Sequence, residues 1–114
     1  MTANALQMDI REVSAGVRVI DINGEITASS EDQISDAHGK AGDGAEAVVL
    51  NFEGLKYMNS GGIGLLVTTL IRAQRAGHDL RAFGLSDHYR EIFSLTRLDE
   101  AISLYDDEET AVAG

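Results

Sequence analysis

A run of residues at positions 47–52, all apolar except Asn51, sets the strongest limit on the fold of this chain. A strand that is apolar on both faces must be covered on both sides, which is typical of a central strand in a parallel sheet. After a loop through Gly54 and Tyr57, apolar residues recur at helical spacing. The pattern predicts a long amphipathic helix with five residues on its inner face: Ile63, Leu66, Val67, Leu70 and Ile71.

The remaining segments extend this strand–helix unit in both directions. Strands are predicted at 8–13, at 17–22 (ended by Asn23-Gly24), at 80–85 and at 101–105. Helices are predicted at 31–41, where Ser30 and Gln33 have capping-box spacing, from Ser86 onward with Tyr89, Ile92, Phe93 and Thr96 inside, and from 106. The order β-β-α-β-α-β-α-β-α predicts an α/β fold with helices packed on a mixed sheet. We expect a single domain spanning residues 1–114.

The charge balance limits the classes of partner. Nine Lys and Arg oppose nineteen Asp and Glu, so the formal net charge is −10, and the basic residues are scattered. Such a chain repels nucleic-acid phosphates and anionic membranes, so we expect no contact with either. The chain has no cysteine and no apolar run near the ~20 residues of a membrane span. Residues 1–8 lack the pattern of a signal peptide, and we expect a cytoplasmic protein.

The loop that follows the buried strand is the first place to look for a site, because functional loops in such sheets lie beyond the carboxyl ends of strands. Ser60 stands at a helix start, followed by Gly61 and Gly62. The glycines leave the hydroxyl accessible and allow another backbone to approach closely. A phosphate on Ser60 would meet free N–H groups and the helix dipole. Alternatively, Ser60 serves only as a helix cap.

Three segments resemble the STAS domains of anti-sigma-factor antagonists. Residues 55–64 (Leu-Lys-Tyr-Met-Asn-Ser-Gly-Gly-Ile-Gly) look like the signature around the family's serine or threonine. Residues 24–26 (Gly-Glu-Ile) match the turn after its second strand, and 82–98 match its fourth strand and third helix. The order of elements agrees as well, so the resemblance covers nearly the whole chain.

The resemblance implies a switch between partners. The unphosphorylated protein would bind an anti-sigma factor that is itself a serine kinase, phosphorylation of Ser60 would release it, and a PP2C-type phosphatase would restore binding. It also implies a docking surface of nine residues: Thr27, Ala28, Ser29, Met58, Asn59, Ser60, Gly61, Gly62 and Ile63. Asn59 and Thr27 stand where phosphorylated members commonly carry acidic residues. A constitutive scaffold subunit of a transport or signalling complex, with Ser60 unmodified, is the alternative.

Other chemistry has little support in the sequence. Met58 stands where a nucleophile elbow needs glycine, and Asn51 stands where a receiver domain needs its phosphoacceptor Asp. The three histidines (His38, His78 and His88) lie in separate segments without metal-ligand spacing, and we expect them on the surface. No phosphate loop or dinucleotide fingerprint is present. We therefore expect no enzyme, no cofactor and no metal site.

Overall fold

The computed structural model describes residues 6–114, and its elements follow the predicted order. The strands are β1 (Leu6–Ser14), β2 (Val17–Ile26), β3 (Ala47–Met58), β4 (Asp79–Phe83) and β5 (Ser103–Tyr105). The helices are α1 (Glu31–Gly42), α2 (Ser60–Ala76), α3 (Asp87–Leu95) and α4 (Glu108–Ala113). The predicted absence of a signal peptide concerns mainly residues 1–5, which lie outside the described part. No helix within residues 6–114 has the length and hydropathy needed to cross a bilayer.

The five strands form one mixed sheet in the order β1-β2-β3-β4-β5. Strands β1 and β2 pair as an antiparallel hairpin, and the other three pairs are parallel. A helix returns the chain between each parallel pair, as right-handed crossover connections require. The predicted α/β fold with a mixed sheet is confirmed.

The two faces of the sheet are covered unequally, and alternate residues of each strand point to opposite faces. One face packs under α1, α2 and α3, and its buried residues include Ile20, Ile22, Val48, Leu50, Phe52, Leu66 and Phe93. The other face carries a smaller cluster beneath α4: Val17, Val19, Ala47, Val49, Phe83 and Ala111. Because β3 is buried on both faces, residues 47–52 read as an apolar run.

Strands β2 and β3 are longer than predicted. Asn23-Gly24 does not end β2, and the expected loop through Gly54 and Tyr57 is part of β3. The register between the two strands shifts near Asn23, which faces Gly54. A Cβ on Gly54 would collide with the Asn23 side chain, so this glycine permits a bulge rather than a turn. The predicted ends of β2 and β3 are wrong because a glycine inside a strand is easily mistaken for the end of that strand.

The other boundaries agree more closely with prediction. Strand β4 ends at Phe83, two residues early, because Gly84 takes a φ of +83°. Ser86 caps α3 as predicted, with its Oγ accepting from Tyr89 N–H at 3.5 Å. Phe93 is buried on the inner face of α3, whereas Thr96 is exposed, contrary to prediction.

Candidate functional site

Ser60 is the first residue of α2, at the carboxyl end of β3, and its side chain is exposed. The residue that caps the helix is Asn59, whose Oδ1 accepts a hydrogen bond from Gly62 N–H at 3.0 Å. The reading of Ser60 as the cap was therefore wrong by one residue. Since Asn59 performs this task, the Ser60 hydroxyl is not needed to start the helix.

Gly61 and Gly62 allow the end of β2 to lie directly against the start of α2. A Cβ on Gly61 would be 2.9 Å from Ala28 Cβ, and one on Gly62 would be 2.8 Å from Met58 Cγ. On Gly62 it would also collide with the Ile26 carbonyl oxygen. The backbone that approaches these glycines belongs to the same chain. This close approach places the 27–30 turn next to Ser60.

The 27–30 turn is held by bonds within itself. Thr27 N–H donates to Ser30 Oγ at 3.1 Å, and Ser30 N–H donates to the Thr27 carbonyl at 2.9 Å. Ser30 is buried in this arrangement, so its predicted capping box with Gln33 does not form. Ala28 and Ser29 are exposed, and the Thr27 and Ser29 hydroxyls are 2.8 Å apart. The structure thus brings Thr27, Ala28 and Ser29 beside Ser60.

Met58 does not belong to this surface. Its side chain is only 4% exposed, and its N–H donates to the Tyr89 hydroxyl at 2.8 Å. Gly62 is buried too, while Asn59, Gly61 and Ile63 are half-buried. The Met58 side chain packs under the site, so it is not accessible for the docking role predicted for it. Its neighbour Tyr57 is 48% exposed and reaches the surface instead.

Helix α2 exposes an apolar stripe that the sequence pattern assigned to its inside. Val67 and Ile71 are 39% and 43% exposed. With Ser60 and Gly64 they follow the spacing i, i+4, i+7 and i+11, which places all four on one helix face. The buried face lies opposite and consists of Gly62, Leu66, Thr69 and Ala73. We call the following exposed and half-buried residues the Ser60 surface: Thr27, Ala28, Ser29, Asn59, Ser60, Gly64, Val67 and Ile71.

Gly64 has a different environment from the two glycines before it. A Cβ on Gly64 would meet no atom within 4 Å. Packing within residues 6–114 therefore does not explain this glycine. It keeps the Ser60 surface flat one turn beyond Ser60.

Asn51 holds a structural position on the sheet. Its Nδ2 donates to Asp21 Oδ1 at 2.8 Å, and its Oδ1 accepts from Glu53 N–H at 2.9 Å. Arg11 donates to both oxygens of Asp21, at 2.6 and 2.9 Å, and also to Glu108 of α4. The Arg11 guanidinium, more than the Asn51 amide, holds the pKa of Asp21 below its ordinary value.

Two of the three histidines are buried, contrary to prediction. His38 and His78 are 5% and 7% exposed, whereas His88 is exposed beside Tyr89. Burial lowers the pKa of His38 to about 4 and lowers that of His78 as well. Within residues 6–114, no three His, Cys, Asp or Glu side chains are grouped to hold a metal ion.

Comparisons with known proteins agree with the observed fold. The anti-sigma-B factor antagonist of Staphylococcus aureus is 31% identical over 67 residues, which are 59% of this chain and 62% of the relative. The match thus spans less than two thirds of that relative's length. An anti-sigma factor antagonist from Mycobacterium paratuberculosis superimposes with a TM-score of 0.81 at 21% identity, covering 99% of this chain and 97% of that one. The phosphorylated Bacillus cell fate determinant SpoIIAA gives 0.69 at 22% identity, covering 91% and 96%. The model of the STAS domain matches residues 9–111, and the chain therefore belongs to the STAS domain family.

Proposed function

We propose that this chain is an anti-sigma-factor antagonist controlled by phosphorylation of Ser60. Unphosphorylated, it docks through the Ser60 surface on an anti-sigma factor with serine kinase activity and so regulates transcription indirectly, in the cytoplasm. Phosphorylation releases the partner, and a PP2C-type phosphatase resets the switch. The observation that carries the proposal is the exposed Ser60 hydroxyl, freed by the Asn59 cap at the head of an exposed apolar stripe. Anti-sigma-factor antagonists of the STAS family regulate and do not catalyse, in agreement with the prediction of a non-enzyme.

A phosphate on Ser60 would be tolerated by the fold. It would occupy the first position of a 17-residue helix, where free N–H groups and the helix dipole favour negative charge. Because Gly62 N–H is already bonded to Asn59, the phosphate would replace no native hydrogen bond of the cap. Asn59 carries no charge, so the phosphate meets no carboxylate there.

The same phosphate would oppose docking. All eight residues of the Ser60 surface are uncharged, although the whole chain has a net charge of −10. Phosphorylation adds roughly −1.5 to −2 charges at pH 7 and three strong acceptor oxygens. A partner that buries Val67 and Ile71 would have to bury this charge at the edge of the contact. The switch needs no refolding of the chain.

Phosphate transfer tests the modified residue. The purified chain is incubated with ATP and the anti-sigma serine kinase encoded in the same genome, and intact mass is followed by fragment mapping. We expect a gain of one phosphate, lost in Ser60→Ala and kept in Ser29→Ala, the matched control on the same surface. Phosphate on Ser29, or none on the wild type, would contradict the proposal.

Binding of the same kinase tests the consequence. Ser60→Asp should bind at least about tenfold more weakly than wild type, equivalent to ~1.4 kcal/mol, while Ser60→Ala should bind normally. Calorimetry gives both constants. Equal binding by Ser60→Asp and wild type would favour the alternative of a constitutive scaffold, and co-purification of a transporter ATPase would support it further.

A further inference from the structure

His38 and His78 form a hydrogen-bonded pair on the helix-covered side of the sheet. His38 lies in α1, and His78 lies between the end of α2 and the start of β4. Their Nε2 atoms are 2.9 Å apart and their ring centres 5.0 Å apart, so the two nitrogens point at each other. This head-on geometry has room for one proton between the rings and leaves no shared point for a metal ion.

The protons of the pair can be assigned from the remaining nitrogens. His78 Nδ1 is buried and has no hydrogen-bond partner within residues 6–114. A proton there would be a buried, unsatisfied donor, which costs more than a bare nitrogen. His78 therefore donates through Nε2, and His38 accepts. A further proton must go either to His38 Nε2, opposite an N–H, or to the unpartnered His78 Nδ1.

The surroundings oppose a positive charge on the pair. Beneath His38, the sheet presents apolar side chains such as Ile20 and Leu50. A Cβ on Gly42 would be 2.6 Å from His78 Cε1, so the ring fills the space above this glycine. The charged groups around the pair are Asp36, Lys40, Asp43, Arg72 and Asp79. Burial and then the neighbouring His78 and Arg72 lower the pKa of His38, and Asp79 opposes the effect of burial on His78.

The pair holds one end of α1, whose other end adjoins the Ser60 surface. Arg18 also binds the carboxyl end of α1, donating to the carbonyls of Ala41 and Asp43. An arginine stays charged throughout the accessible pH range, so this contact does not respond to mild acid. The histidine pair, in contrast, responds to mild acid. The first turn of α1 follows directly from the 27–30 turn.

We propose that the His38–His78 pair is a proton-sensitive latch, which fixes α1 at neutral pH and releases it on acidification, loosening the 27–30 turn of the Ser60 surface. The effect on docking rests on the proposed function, whereas the release of α1 does not. An imidazole whose folded-state pKa lies below its unfolded value stabilises the fold above about pH 6.5. That stability is lost as the pH falls towards about 4, the folded-state pKa of His38.

Thermal unfolding at pH 7.5 and 5.0 tests the latch in the free chain. The double variant His38→Gln/His78→Gln keeps neutral groups that can donate and accept a hydrogen bond. Between the two pH values, the wild type should lose at least about 5 °C more in Tm than this variant. His88→Gln, at the exposed histidine, should behave as the wild type. An equal loss in wild type and double variant would overturn the proposal.

Two measurements on the wild type guard against a double variant that does not fold. In an NMR titration, the His38 and His78 rings should both titrate below the ordinary histidine pKa, and ordinary values for both would overturn the latch. In hydrogen exchange corrected for intrinsic rates, amides of α1 and the 27–30 turn should lose protection at pH 5.0 before those of α3. Simultaneous loss in α3 would refute local release, and an unchanged 27–30 turn would refute the link to the Ser60 surface. Neither readout uses the kinase, so they hold even if Ser60 is never phosphorylated.

Discussion

Asn59 and Ser60 have separate tasks at the start of α2. The Asn59 amide oxygen starts α2, and the Ser60 hydroxyl is left exposed. Asparagine caps helices about as well as aspartate, so an uncharged amide at position 59 starts α2 as effectively as an acid would. It also places no negative charge next to the proposed site of phosphorylation.

Removing each of the two side chains should separate their tasks. Asn59→Ala should lower the free energy of unfolding by about 0.5–2 kcal/mol, because Gly62 N–H loses its partner. Ser60→Ala should change it by no more than about 0.5 kcal/mol. Urea denaturation of both variants measures the difference. A larger loss of stability in Ser60→Ala than in Asn59→Ala would indicate that Ser60, and not Asn59, caps the helix.

Gly62 and Gly64 are a matched pair two positions apart. Gly62→Ala should destabilise the fold by about 1–3 kcal/mol, because its Cβ would overlap the Ile26 carbonyl and Met58. Gly64→Ala should stabilise it by about 0.5–1 kcal/mol, since the site is open and alanine favours helix. The unfolding midpoints of the two variants measure these opposite effects on stability. Similar effects of the two substitutions would contradict the close approach of β2 to α2.

At the scale of elements, the sequence predicted the type and order of the helices and strands well. It predicted poorly which face of α2 is buried. The five large apolar residues assigned to the inside of α2 include Val67 and Ile71, which are exposed. The buried face combines Leu66 with the smaller Gly62, Thr69 and Ala73, because α2 lies close to β2. A prediction from periodicity places the most hydrophobic residues of a helix inside. It therefore fails where a glycine such as Gly62 makes the close contact and where apolar residues form an exposed stripe.

The exposed stripe of α2 should matter for binding and not for folding. The double substitution Val67→Gln/Ile71→Gln should change the free energy of unfolding by less than about 1 kcal/mol, as surface replacements do. It should weaken binding of the anti-sigma serine kinase by more than about tenfold, measured by calorimetry. Leu95→Gln is the control, because Leu95 of α3 is 77% exposed and lies outside the Ser60 surface. Equal weakening by Leu95→Gln would contradict a specific role for the stripe.

The burial of His38 and His78 could not be predicted from the sequence pattern either. Neither His38 nor His78 has a neighbouring ligand in sequence, and isolated histidines are commonly exposed or only partly buried. Their partnership depends on contacts 40 residues apart, which the pattern of a single chain does not reveal. Residues 27–29 and 60 were correctly placed together, because a family signature carries such long-range information and periodicity does not.

At the scale of the molecule, the second face of the sheet depends on a six-residue helix held at both ends. Arg11 donates to Glu108 at the start of α4. Arg81 donates to the carbonyls of Ala111 and Val112 near its end, at 3.1 and 3.2 Å. A helix this short is unstable alone, so these contacts and the burial of Ala111 keep it in place.

Acid should act on this face at a lower pH than on the histidine pair. Because Arg11 lowers the pKa of Asp21, the stability it gives is present above the carboxyl's ordinary pKa and is lost as the pH falls through the lowered value. Asp21→Asn should therefore cost about 1 kcal/mol at pH 7, and this cost should shrink as the pH falls below the ordinary pKa of an aspartate. Urea denaturation against pH measures both. Asp106→Asn, in an exposed pair with Arg90, should cost less, and an equal cost would contradict the prediction.

The simple strand order has a consequence for how the chain can be made. Every strand pairs with the strand that precedes it in sequence, so each new strand finds its neighbour already synthesised. The sheet can grow from β1 to β5 in the order in which the ribosome releases it, without holding an early edge open for a late strand. Since α4 follows β5 in the chain, the apolar patch beneath α4 is covered only after residues 108–113 have been synthesised. A nascent chain stalled before residue 108 would expose Val19, Val49 and Phe83, and we expect such chains to be those that chaperones retain.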